Sequence, residues 1–144
     1  AFAVIRLCTY FLAYFCFAFC IRFSPRVGLC WTLALVLERG LSGLAVAAFP
    51  MAKNTGLAHT FATAADRESV QKILIVLSVL LAAALIALGG GALVAAALLV
   101  LWRYHHVAVK EFGGITGDLA GWFLQKAEFW MLAALAASQW GGIL

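Results

Sequence analysis

The stretch ILIVLSVLLAAALIAL-GGG-ALVAAALLVLW, residues 73–102, decides the fold class of this chain. Apolar runs of about 18 residues or more are typical of transmembrane helices. As a single helix of about 30 residues, the stretch would be roughly 45 Å long, whereas the hydrocarbon core of a bilayer is about 30 Å thick. Three consecutive glycines in its middle favour a tight hairpin between two spans over one overlong helix.

The whole chain has the composition of an integral membrane protein. It is 66% hydrophobic and 11% charged, whereas a soluble domain is about 45–50% apolar and about 25% charged. The net charge of +4 comes without any dense Lys/Arg cluster, so a nucleic-acid partner is not predicted. The four cysteines lie in apolar runs without Cys-x-x-Cys spacing, which argues against a zinc site.

We therefore predict an all-α, polytopic membrane protein whose residues 1–144 form a single integral-membrane domain with cytoplasmic polar loops. The loops 50–72 and 103–118 fall on one face and carry five Lys and Arg residues, whereas the opposite face carries two. Because basic loops stay in the cytoplasm, we place these loops on the cytoplasmic side. The five predicted spans are Phe2–Cys20, Val27–Phe49, Ile73–Leu88, Gly91–Val109 and Leu119–Ala137.

The segment EFGGITGD, residues 111–118, is the strongest candidate for a binding loop. Glycines let backbone N–H groups come close to a ligand, and successive N–H groups form a concavity that suits phosphate oxygens. A carboxylate at the end of such a loop suits a divalent cation that also contacts those oxygens. The alternative is a plain glycine-rich loop in which Asp118 is the N-cap of the next helix. The candidate residues are Gly113, Gly114, Thr116, Gly117 and Asp118.

Two adjacent charges, Glu38 and Arg39, lie near the middle of the second span, where each costs roughly 2.5–3.5 kcal/mol to insert. Neighbouring helical residues point about 100° apart, so we do not expect the two to pair. Each then needs its own partner or a water-filled cavity, unless one of them only fixes the packing. Arg39 and Ser42 are three residues apart and share a helix face that suits an anionic group.

Two further sets of polar residues are candidates. Lys53 opens a polar segment with a glycine turn at Gly56, which suits phosphate binding, although a positive-inside anchor explains the lysine equally well. In the fifth span, Glu128 continues a stripe at helical spacing that we call the polar seam and predict to face a cavity or another helix. The polar seam consists of Asp118, Gly121, Gln125 and Glu128.

These motifs resemble a known family. Residues 113–118, followed by Gly121 and Glu128, resemble the C-terminal signature of the cobalamin synthases, or adenosylcobinamide-GDP ribazoletransferases. Residues 39–42 followed by 52–61 resemble a second segment of that family, in which an Arg within a span precedes an Ala-basic-x-x-Gly-Leu turn. The resemblance covers essentially the whole chain and corresponds to the C-terminal part of the enzyme. Gln125 departs from the Glu of many members, and the family's upstream acidic motif is absent.

The resemblance implies a membrane transferase that joins adenosylcobinamide-GDP to α-ribazole or its 5′-phosphate and releases GMP. It implies Mg²⁺ as cofactor, with Asp118 as a ligand and the glycine loop close to the pyrophosphate. Asp118, Glu128 and Arg39 are then the expected catalytic residues, while Arg39 and Lys53 would neutralise phosphate oxygens. Further metal ligands are expected upstream of residue 1, so the chain alone is expected to be inactive.

Two alternatives stay open at this point. Another membrane phosphotransferase, of the CDP-alcohol type, is also expected to carry its acidic motif upstream of residue 1. Part of a membrane transporter would instead line a pathway with Glu38, Arg39 and Glu128. The expected location is the bacterial cytoplasmic (inner) membrane, with the active face in the cytoplasm, and a homo-oligomer is compatible with all three functions.

Overall fold

The structure, a computed structural model, describes residues 2–52 and 67–144, which form five helices and one isolated backbone bridge. Each predicted span coincides with one helix, so the all-α, polytopic membrane fold is confirmed. The helices are α1 (Phe2–Cys20), α2 (Pro25–Ala48), α3 (Arg67–Ala87), α4 (Gly91–Phe112) and α5 (Gly117–Trp140).

Among the described helices, α1 to α4 are long and apolar enough to cross a membrane. Helix α5 is long enough, at 24 residues, but Gln125, Lys126 and Glu128 interrupt its apolar character. Its crossing of the bilayer therefore stays a prediction. A helix with such an interruption needs protein neighbours for its polar side chains, because hydrocarbon offers them no partner.

The triple-glycine hairpin between α3 and α4 is confirmed. The Gly90 amide donates to the Leu85 carbonyl at 2.7 Å, and Gly89 takes a φ of +90°, which glycine adopts without strain. The Arg26 guanidinium reaches this turn from α2 and donates to the Leu88 carbonyl through Nε at 3.0 Å and Nη2 at 2.7 Å. It thereby satisfies a carbonyl at the end of α3 that has no partner within the helix.

Local sequence explains the limits of α2. Ser24 is its N-cap, since the Ser24 hydroxyl accepts a hydrogen bond from the Val27 amide at 3.2 Å. Pro25 follows at the first helical position, where its missing N–H costs nothing. The helix ends at Phe49, which is extended (φ −84°, ψ 155°) and precedes Pro50.

The core is formed mainly by α2, α4 and α5, and its side chains are tightly packed. The rings of Tyr104 on α4 and Phe123 on α5 stack with centroids 5.2 Å apart, and both side chains are fully buried. Helix α3 approaches α2 closely at Gly40, where a Cβ would lie 3.3 Å from the Ser78 hydroxyl. Small residues allow such close helix contacts in membranes. Helix α1 lies outermost and has no buried residue.

Successive helices run in opposite directions. The C-terminal end of α2, the N-terminal end of α3 and the α4–α5 loop therefore lie at the same end of the bundle. We call this end the loop face and define it by residues 49–52 and 113–116. The opposite end is closed by Gln139, whose side chain bonds the backbone N–H and carbonyl of Arg22, both at 2.8 Å. The α4–α5 loop, with its candidate functional residues, thus lies at the loop face.

Candidate functional site

Backbone hydrogen bonds join the α4–α5 loop to the residues that follow α2. The Ile115 amide donates to the Pro50 carbonyl at 2.8 Å, and the Ala52 amide donates to the Ile115 carbonyl at 3.0 Å. Met51 and Ile115 therefore form a short parallel bridge, and the Ile115 side chain is buried. Two segments that are far apart in sequence thus meet at the loop face.

Gly113 and Gly114 are required by the fold itself. Gly113 ends α4 with a φ of +69°, and its amide donates to the Val109 carbonyl at 3.2 Å. Gly114 takes a φ of +155°, and a Cβ there would lie 2.6 Å from backbone atoms of residues 50–52. Its amide donates to the Ala108 carbonyl at 2.9 Å. Since both N–H groups are already bonded, the predicted phosphate cradle cannot be built from them.

The start of α5 has backbone N–H groups that are free to bind a phosphate. The Thr116 hydroxyl caps this helix by accepting from the Leu119 amide at 3.3 Å. The amides of Gly117 and Asp118 have no backbone partner among the described residues. A Cβ at Gly117 would meet nothing within 4 Å, so the approach to these amides is open. Helix N-termini of this kind favour phosphate groups.

Asp118 is the second residue of α5, and its side chain is exposed. The alternative in which Asp118 is the N-cap is wrong, because Thr116 occupies that position. Within the described part of the chain, the Asp118 carboxylate makes no hydrogen bond and no ion pair. A carboxylate beside open amides repels a phosphate unless a cation lies between the two. The arrangement therefore suits a phosphate that arrives with a divalent metal ion.

The described residues contain no group of three or more His, Cys, Asp and Glu side chains placed to hold a metal ion. A metal cage made by this part of the protein alone is thus absent. Mg²⁺, however, is commonly bound by one or two carboxylates together with substrate phosphates. The exposed Asp118 carboxylate fits that second mode of binding.

Within the polar seam on α5, Glu128 faces α1, so the prediction that the seam faces a cavity or another helix is confirmed for this residue. The Tyr14 hydroxyl donates to Glu128 Oε1 at 2.8 Å, and the Tyr10 hydroxyl donates to the Gln125 backbone carbonyl at 3.2 Å. Neither tyrosine was predicted from the sequence. Their i, i+4 spacing, which places them on one face of α1, was the available signal.

Glu38 is fully buried, whereas the side chain of Arg39 is 65% exposed. The prediction that these neighbours do not pair is wrong, since Arg39 Nε lies 3.5 Å from Glu38 Oε1. This contact is not a hydrogen bond, and neither carboxylate oxygen of Glu38 has a hydrogen-bond partner in the described residues. Because such a buried carboxylate is costly, Glu38 joins the candidate functional residues.

The predicted catalytic residues lie in two layers and do not form one cluster. Asp118 lies at the loop face, and Glu128 follows ten positions later on α5, which is about 15 Å deeper. Arg39 lies about 14 Å below the loop-face end of α2, with half-buried Ser42 one turn nearer that end. Lys53 and Gly56 fall outside the described residues.

Comparison with known proteins gives a match along most of the chain. A family model described as cobalamin-5-phosphate synthase matches residues 1–136. The adenosylcobinamide-GDP ribazoletransferase of Lachnoclostridium phytofermentans is 36% identical over 139 residues, which are 94% of this chain and 52% of that relative. The chain thus spans about half the length of this relative. No solved structure matches the chain.

These matches confirm the resemblance inferred from the sequence motifs. They do not favour a CDP-alcohol phosphotransferase or a transporter. The functional residues named above are not tested by the matches, and their roles stay predictions.

The glycines of the loop predict a contrast between two alanine variants. Gly114→Ala forces a side chain into the backbone of residues 50–52 at a positive φ, so we expect a loss of about 2 kcal/mol or more in unfolding free energy. Gly117→Ala adds a methyl group in open space and should change that free energy by less than about 0.5 kcal/mol. Unfolding in mixed detergent micelles, followed by circular dichroism, measures both. Equal stability of the two variants would show that the bridge does not require Gly114.

Proposed function

Because the chain belongs to the cobalamin-5-phosphate synthase family, we propose that it forms part of a membrane transferase of cobalamin biosynthesis. The proposed reaction joins adenosylcobinamide-GDP to α-ribazole or to its 5′-phosphate. A hydroxyl of the ribazole attacks the phosphorus attached to adenosylcobinamide, the bond from that phosphorus to GMP breaks, and the hydroxyl proton is lost. The enzyme is thus proposed to be a phosphotransferase.

The backbone bridge at Ile115 is the observation that carries this proposal. It holds Ala52, the residue directly before Lys53 in the sequence, beside the loop that leads to Asp118. The end of α2, which leads to Lys53 in the sequence, and the acidic start of α5 thereby lie at one face of the membrane domain. Phosphoryl transfer depends on such positioning of charges around the phosphates, since the protein itself does little covalent chemistry in the transfer.

We assign phosphate binding to the start of α5. The open amides of Gly117 and Asp118 bind phosphate oxygens, and Thr116 keeps these amides in position by capping the helix. Asp118 is the residue of this chain that would hold Mg²⁺. Magnesium, when bound, supplies positive charge that offsets the charge on the diphosphate and on the departing GMP. Lys53 is proposed to contribute a further positive charge.

The deeper layer is proposed to position the helices around this site. One phosphate cannot contact both Asp118 and Glu128, because about 15 Å separates them along α5. Glu128 therefore acts by holding α1 against α5 through Tyr14. The side chain of Arg39 is 65% exposed, and we propose that it attracts an anionic substrate group within the deeper layer. Glu38 balances part of the charge of Arg39.

The proposed location is the bacterial cytoplasmic membrane, with the loop face in the cytoplasm. Arg67, Lys72, Arg103 and Lys110 lie toward the loop face, whereas Arg22 and Arg26 lie toward the opposite end. This distribution follows the positive-inside rule. Assembly into a homo-oligomer is compatible with this location and stays a prediction.

The orientation predicts opposite accessibility of two engineered cysteines. In a background without the four native cysteines, Glu111→Cys marks the loop face, and Phe23→Cys marks the opposite end. A membrane-impermeant maleimide should label Phe23→Cys from outside intact cells and Glu111→Cys only after the membrane is opened. Labelling of Glu111→Cys in intact cells would show that the orientation is the opposite of the proposed one. Equal labelling of both variants would contradict the arrangement of the helices.

Substitution of Asp118 tests the proposed chemistry. Asp118→Asn should keep the fold, because the side chain is exposed and Thr116 provides the cap. It should lower the rate roughly a thousandfold, because it removes the charge that holds magnesium. Glu111→Gln is the matched control: it removes an exposed carboxylate at the other end of the same loop and should leave the rate within a few fold.

The assay is formation of cobalamin or its phosphate in membranes at saturating magnesium, with protein amounts compared by immunoblot. The chain is expected to be inactive alone and active when joined to the preceding half of the Lachnoclostridium phytofermentans relative. A fused protein in which Asp118→Asn keeps the unsubstituted rate would contradict the assignment of Asp118. Turnover by the 144-residue chain alone would contradict the proposal that it needs further metal ligands.

A further inference from the structure

A groove between α1 and α5 contains two cationic side chains that come from different helices. The groove has a volume of about 560 Å³ and is lined in part by Arg6 and Tyr10 of α1 and by Trp122 and Lys126 of α5. A neighbouring groove of about 450 Å³ is also lined by Arg6, Tyr10 and Lys126. The two cations therefore border both grooves and lie where the grooves adjoin.

The packing of α1 against α5 brings the two cationic groups to a similar depth. Tyr10 bonds Gln125, and Tyr14 bonds Glu128. The two helices are therefore parallel, and a residue of α1 lies level with the residue of α5 about 115 positions later in the sequence. Arg6 is thus level with residue 121 and lies about 7 Å nearer the loop face than Lys126. A lysine side chain leans toward the N-terminus of its helix and extends about 6 Å. The Lys126 ammonium can therefore reach the level of Arg6.

Neither Arg6 nor Lys126 forms an ion pair or a hydrogen bond with the residues that the structure describes. Both lie within helices, below the end of the bundle, where an unpaired charge is costly unless it reaches an anion or water. Two cations that converge on one groove therefore point to an anionic ligand.

The walls of the grooves indicate what else this ligand contains. Beyond the two cations, the second groove is bordered by Ile5, Ala13 and Phe129, so an apolar chain fits beside the charged end. Trp122 lies in the first groove, and tryptophan is enriched at the level of lipid headgroups. A ligand with an anionic head and an apolar tail matches this combination.

We propose that the groove between α1 and α5 binds one anionic phospholipid, with its phosphate between Arg6 and Lys126 and an acyl chain along Ile5, Ala13 and Phe129. The lipid fills the space beside the Tyr10–Gln125 and Tyr14–Glu128 contacts and holds α1, the outermost helix, against α5. This role does not depend on the proposed transferase activity. The lipid site shares no residue with the start of α5, where substrate phosphates are proposed to bind.

Native mass spectrometry tests this site. The chain is placed in nanodiscs that contain phosphatidylcholine and phosphatidylglycerol in equal amounts. The protein is then released from the nanodisc in the mass spectrometer, and the lipids that stay bound to it are counted. The unsubstituted chain should retain phosphatidylglycerol preferentially. Arg6→Gln and Lys126→Gln should each lower this retention about fivefold, as expected for one basic residue at a membrane surface. Lys126→Arg should restore it.

Arg103→Gln is the matched control. Arg103 is exposed and lies nine positions from the loop-face end of α4, and Lys126 lies nine positions from the loop-face end of α5. Unlike Lys126, Arg103 borders neither groove. Its substitution should leave retention unchanged, and an equal loss would show that net charge alone attracts the lipid. Circular dichroism and gel filtration show whether each variant folds. If Lys126→Gln does not fold, the comparison of Arg6→Gln and Arg103→Gln with the unsubstituted chain and with Lys126→Arg still tests the site.

A competition experiment separates a lipid from a soluble phosphate. Inorganic phosphate and ribose 5-phosphate at millimolar concentration should not displace phosphatidylglycerol, because neither has an apolar tail. Displacement by either compound would overturn the assignment to a lipid. Equal retention of phosphatidylcholine and phosphatidylglycerol by the unsubstituted chain would overturn the site itself.

Discussion

Two backbone hydrogen bonds at Ile115 hold the exit of α2 against the α4–α5 loop, and the geometry of the loop face depends on them. They require Gly114, since any Cβ at that position would collide with the backbone of residues 50–52. They also bury the Ile115 side chain, which ties the loop to the hydrophobic core. The start of α5 thereby receives a fixed position, and its open amides and Asp118 lie beside the residue that precedes Lys53.

The rest of the bundle shows how a chain this apolar satisfies its polar groups. Hydrocarbon offers no hydrogen-bond partners, so each polar group at membrane depth needs one from the protein. Arg26 supplies one for the end of α3, and Tyr14 supplies one for Glu128. Three buried side chains of the described residues, Glu38, Ser78 and Tyr104, have no hydrogen-bond partner. Glu38 is the acid among these three, and only the 3.5 Å contact with Arg39 offsets its burial. Such an uncompensated acid is more typical of a functional region than of a structural one.

Sequence alone predicted the helices well, because a span is a local property. Apolar runs, the three glycines at residues 89–91 and Pro50 were sufficient to place all five helices. The glycine loop was harder. Gly113 and Gly114 were predicted to offer their N–H groups to a ligand, whereas both amides bond carbonyls at the end of α4. Whether Thr116 or Asp118 caps α5 likewise depends on where the chain turns.

The functional residues were predicted unevenly, for physical reasons. Asp118 and Glu128 lie on one helix, so their separation of about 15 Å follows from helical rise alone. The prediction that grouped them as catalytic residues did not use this distance. The pairing of Glu38 with Arg39 was missed because backbone direction says little about a long, flexible side chain. Tyr10, Tyr14, Arg6 and Lys126 gain their significance only from the packing of α1 on α5, which no local pattern encodes.

Amide hydrogen exchange of the chain in micelles, resolved at single residues, tests the bridge at the loop face most directly. The Ile115 and Ala52 amides, which donate across the bridge, should exchange at least about a hundredfold more slowly than the Gly117 amide, which has no backbone partner. Gly114→Ala should remove that protection while the middle of α2 stays protected. If Ile115 and Ala52 exchange as fast as Gly117 in the unsubstituted chain, the two segments are not joined, and the proposed phosphate site at the loop face is contradicted.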